Sequence, residues 1–171
     1  MRFVEFLRTT VLLSAGAATM LAALTVISAT EEFDPVLVWV AASWWSLAVA
    51  IGVHLGRRSE VTPAITRILA GARSTTVLPE MRPWPTLLNR LWPLILFTVI
   101  AGGVGFFLPQ VAAIATGFAL IWPLSIRHQD KAVAAIEERD AVRFYVDKTS
   151  PVAPMALIRT PGFGGDFLAM Q

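Results

Sequence analysis

Cysteine is absent from the 171 residues. That excludes disulfides, thiolate nucleophiles and cysteine-ligated zinc or iron–sulfur centres. Charge is scarce as well: Asp, Glu, Lys and Arg make up 15% of the chain, against about 25% in an average soluble domain. With 56% hydrophobic residues and a mean hydropathy of +0.65, too few charges remain to cover a water-facing surface. A formal net charge of +2 is too small to point to nucleic acid, so no such partner is expected. Ionisable groups are also missing from the interior of every long apolar run. Asp, Glu or His at depth is the usual mark of proton-coupled transport, which is therefore disfavoured. No nucleophile stands in pattern with a base, and no metal ligands are grouped, so neither catalysis nor a cofactor is expected.

What is present suits lipid. Thr9–Ala29 and Pro35–Leu55 are uncharged and each is about the ~20 residues that a helix needs to cross a ~30 Å hydrocarbon layer. Leu91–Ile126 carries no charge either, but it is too long for one crossing. Gly102-Gly103, Gly105 and Pro109-Gln110 lie at its middle, where a turn would divide it into 91–108 and 109–126. Each arm then rises ~27 Å, just enough to cross. A re-entrant hairpin would leave both ends on one side, as two crossings do. Re-entrant backbone needs protein or water around its tip, so two crossings are the expectation.

Basic residues orient the spans. Arg2 and Arg8 precede the first, and the linker to the second carries Glu31, Glu32 and Asp34 without a base. Arg57, Arg58, Arg67, Arg73, Arg82 and Arg90 lie between the second and third, and the remaining Arg and Lys follow Ile126. With four crossings all 14 Lys and Arg share one side, and such segments stay cytoplasmic. The expected architecture is an all-α polytopic protein of the inner (cell) membrane, bacterial in type. It has four transmembrane helices and both termini inside: a membrane domain over 1–126, including a cytoplasmic loop at 56–90, and a cytoplasmic tail over 127–171. Ile27-Ser28-Ala29 would pass as a signal-cleavage site, but the first apolar run exceeds the roughly 7–15 residues of a signal core. An uncleaved anchor is expected.

Tryptophan favours the headgroup level, which makes Trp39, Trp84, Trp92 and Trp122 interfacial anchors. Trp44 and Trp45 lie deeper, so at least one is expected between helices. Small residues four apart let helices approach closely, and Ala42, Ser46 and Ala50 are the expected packing face of the second span, for this protein's own bundle or for a partner's helix. Buried hydroxyls should bond back to their own helix or to a neighbour. His54 and His128 lie near one boundary, yet nothing patterned surrounds them and both read as solvated. "GFGGDF" (162–167) lacks the Lys-Ser/Thr of a phosphate loop.

The polar segments have local order of their own. In "TPAITRILAGAR", Thr62 and Pro63 open a short helix, and Val61, Ile65, Ile68, Leu69 and Ala72 form one apolar stripe. This amphipathic helix suits the inner leaflet, with Arg57, Arg58, Arg67 and Arg73 on lipid headgroups. Three prolines in 77–85 predict an extended connector. After Ile126 the helix should run on through "RHQDKAVAAIEERD", with a narrow apolar edge at Val133 and Ile136. Val142, Phe144 and Val146 then alternate with polar neighbours, and "MALIRT" (155–160) can return as a second strand. A lone hairpin is marginal in water. Its cover would be the chain's own loop, or a partner meeting Val142, Phe144, Val146 and Leu157. The reading is a non-catalytic accessory, scaffold or assembly protein whose partners are the bilayer and a protein or a second copy. The alternative is a small oligomeric channel or transporter constricted at the 102–110 tip.

Overall fold

Runs of Leu, Val, Ala and Ile without charge satisfy backbone polar groups inside lipid only as helices, and helices are what they form. The computed structural model describes residues 1–31, 35–57, 60–75, 83–147 and 155–161. In chain order the elements are α1 (Phe3–Glu31), α2 (Pro35–Leu55), α3 (Pro63–Ala70), β1 (Arg73–Ser74), α4 (Pro83–Gly105), α5 (Pro109–Ile126), α6 (Gln129–Arg139), β2 (Val142–Val146) and β3 (Leu157–Pro161). Among the described residues, four helical stretches are long and apolar enough to cross a membrane. The chain is a polytopic membrane protein, mostly helical, with a small β-hairpin.

Two boundaries differ from expectation, both of the third span. The third span begins at Pro83 rather than Leu91 and ends at Gly105 rather than Leu108. Pro83 and Pro85 fall in its first turn, where the missing N–H groups would have had no helical acceptor. So the end of the expected connector is helical, while 76–82 lies outside the described residues. Glycines 102, 103 and 105 do not break the helix, and the turn falls at 106–108. The fourth helix does run on, as one 31-residue helical stretch from Pro109 to Arg139, with only a turn at Arg127–His128, both in the right-handed helical region, between α5 and α6.

The chain divides into two compact units. One contains Thr9–Arg57 and Leu91–Arg127. Here α5 is the most enclosed helix, with Ala112, Ala113, Ala115, Thr116, Gly117 and Ala119 all buried. Its alanines join Ala18, Leu21 and Ala101 in one cluster and Ala29, Leu37 and Ala41 in another. Ile114, Phe118 and Trp122 stay exposed, recurring at helical spacing as the side left for lipid. Hydroxyls behave as expected: Thr25, Thr98 and Thr116 each donate to the carbonyl four residues back at 2.8–2.9 Å. Ser14 Oγ, fully buried, has no partner among the described residues.

The other unit gathers Met1–Arg8, Arg58–Arg90 and His128–Gln171. Its centre is an antiparallel β2–β3 pair in the register Val142–Pro161, Phe144–Arg159 and Val146–Leu157. The hairpin is not alone. β1, from the loop between the second and third spans, pairs parallel with β3, giving the strand order β1-β3-β2. Arg2 forms a bridge to Tyr145 on the other side of β2. Ala141, at φ 49°, makes the left-handed turn from α6 into β2.

Candidate functional site

Two constructions hold polar or close-packed groups in place, one in each unit. In the sheet-bearing unit it is the outer edge of β2. An edge strand leaves a row of N–H groups unpaired, and here two of them are closed by the chain itself. Phe144 N–H donates to Glu137 Oε1 at 2.9 Å, and Val146 N–H donates to the Met1 carbonyl at 3.0 Å. Glu137 sits one turn beyond Val133 on α6, and both are buried. Its second oxygen accepts from Arg2 Nη2 at 2.8 Å; the Glu137 side chain is 5% exposed and that of Arg2 35%. The hydrogen bond from Glu137 holds the Arg2 guanidinium above its ordinary value, so this arginine stays cationic. One buried carboxylate therefore ties the first residues of the chain, α6 and β2 together.

Gln129, also buried, acts on the loop in a similar way. Its Oε1 accepts from the Thr62 N–H at 3.0 Å and its Nε2 donates to the Glu60 carbonyl at 3.2 Å. This fixes the start of α3, where Thr62 makes no side-chain cap. The stripe Val61, Ile65, Ile68, Leu69 and Ala72 is half-buried, while Arg67 and Arg73 are exposed.

In the other unit the construction is the seam between α2 and α5. Gly52 and Gly56 stand four apart, following Ala48. A Cβ at Gly52 would fall 2.8 Å from Leu124 Cβ, and one at Gly56 would strike the Leu124 carbonyl oxygen. On the facing helix, the place of a side chain at Gly117 is taken by the indole of Trp44. Trp44 and Trp45 then donate their Nε1–H groups to successive α5 carbonyls, Ile114 at 3.1 Å and Ala113 at 2.9 Å. Trp44 also meets Phe118 edge to face at 5.4 Å. Both deep tryptophans bond to α5, which spacing alone did not reveal.

The expected site residues are distributed as follows. Val142, Phe144, Val146 and Leu157 are all buried and hold their own unit together; the hairpin's edges are taken by β1 and by the start of the chain. Arg57, Arg67 and Arg73 are exposed, and Arg58 lies outside the described residues. Trp39, Trp84, Trp92 and Trp122 are exposed. Ala42, Ser46 and Ala50 are all exposed and take no part in packing within the chain. The face that packs is Leu37, Ala41, Ala48 and Gly52, because glycine at 52 and 56 permits a closer approach than alanine does. Among the described residues no three His, Asp or Glu side chains are grouped to hold a metal. These arrangements fix backbones and helix seams. Comparison with protein-family models, with curated proteins and with solved structures returns no match.

Proposed function

We propose that this is a non-catalytic accessory or assembly protein of the inner membrane, with both termini in the cytoplasm. One observation carries the reading. The start of the chain, the loop between the second and third spans and the tail beyond the fourth are joined by hydrogen bonds and strand pairing into one unit. Segments that touch must share a side of the bilayer, and two spans lie between each of them and the next. The same three segments hold 12 of the 14 Lys and Arg, and the other two, Arg57 and Arg127, directly adjoin them, which supports the cytoplasmic side. On this reading α3 rests its apolar stripe at the inner leaflet, with Arg57, Arg67 and Arg73 toward anionic headgroups.

Such a unit is a platform held at the membrane, and its partner is a second polypeptide that docks on its outer surface. Purification in mild detergent should bring down a different polypeptide in stoichiometric amount with the full chain. Removing residues 141–171 should release it. A homo-oligomer alone, or a partner retained after the truncation, would contradict the proposal.

A further inference from the structure

We draw no further inference here: the strongest candidate, the open cavity of about 600 Å³ at the end of the sheet beside Ser74, Thr75, Val142, Arg159 and Pro161, lies where the described chain stops, after Thr75 and after Pro161, so nothing in the structure shows what fills it.

Discussion

Replacing Glu137 by alanine is expected to open the sheet-bearing unit, at a loss of about 2–4 kcal/mol. Hydrogen bonds to a charged group contribute roughly 1.5–3 kcal/mol each, and Glu137 makes two, to Arg2 and to the Phe144 amide. The loss stays below the upper end of the sum because the Arg2 side chain, 35% exposed, can turn toward water. Hydrogen exchange provides the measurement. The Phe144 amide loses its acceptor directly, so the informative reporter is Val146, whose acceptor is the Met1 carbonyl. Its exchange should speed up by about 30- to 1,000-fold, at roughly 1.4 kcal/mol per tenfold. Glu137→Gln keeps an oxygen for Phe144 and loses only the ionic pairing, so its effect should be smaller. Arg2→Ala leaves the carboxylate buried beside one donor and should match Glu137→Ala, while the double substitution should fall well short of the sum. Unchanged exchange at Val146 would show that Met1 and Arg2 are held by something other than this carboxylate.

The second large effect belongs to the α2–α5 seam. Gly117→Leu has no room, because the Trp44 indole occupies the space above that glycine. Overpacking of a filled contact costs about 1–3 kcal/mol. Displacing Trp44 also removes its hydrogen bond to Ile114 and its contact with Phe118, for a total loss of about 2–4 kcal/mol. Gly56→Ala meets a backbone carbonyl, that of Leu124, which no side-chain rotation can relieve, and it should weaken the seam as well. The controls are Ala42→Leu, Ser46→Leu and Ala50→Leu, on the exposed side of α2. These should shift stability by less than about 0.5 kcal/mol, as surface changes do. Unfolding by sodium dodecyl sulfate in mixed micelles would rank the series. Equal losses from both sets would mean that the seam does not run along Ala48, Gly52 and Gly56.

That contrast also shows what could be read from composition and spacing. The four spans were legible because lipid imposes one rule on every residue across ~20 positions, and charge at their ends marks where the rule stops. The β2–β3 pairing was legible for the same kind of reason, the alternation at Val142, Phe144 and Val146. Tyr145, on the other face, was not expected to be buried, yet it is, and its backbone forms a bridge to Arg2. Helix faces were harder. Alanines four apart are abundant here, and Ala42, Ser46 and Ala50 fit the spacing as well as the true stripe. The signal that separates them is Gly52-x-x-x-Gly56, where the absence of a side chain has a steric consequence.

Glu137 had almost no signal. It sits in "IEERD", a run whose three acids and one arginine read as solvated, and only its place one turn beyond Val133 sets it on the apolar edge. β1 is two residues long, and neither its sequence nor that of Met1–Arg2 marks a strand. These contacts join positions far apart in the chain, and they arise only once the spans have brought the polar segments to one side.

Co-location on one side is the claim on which the rest depends, and labelling in intact cells tests it most directly. Single cysteines at Glu31, Glu60 and Glu138, all exposed, would be treated with a maleimide that cannot cross the bilayer. The account predicts labelling at 31 in intact cells, and at 60 and 138 only after the membrane is opened. Labelling at 60 or at 138 in intact cells would contradict it.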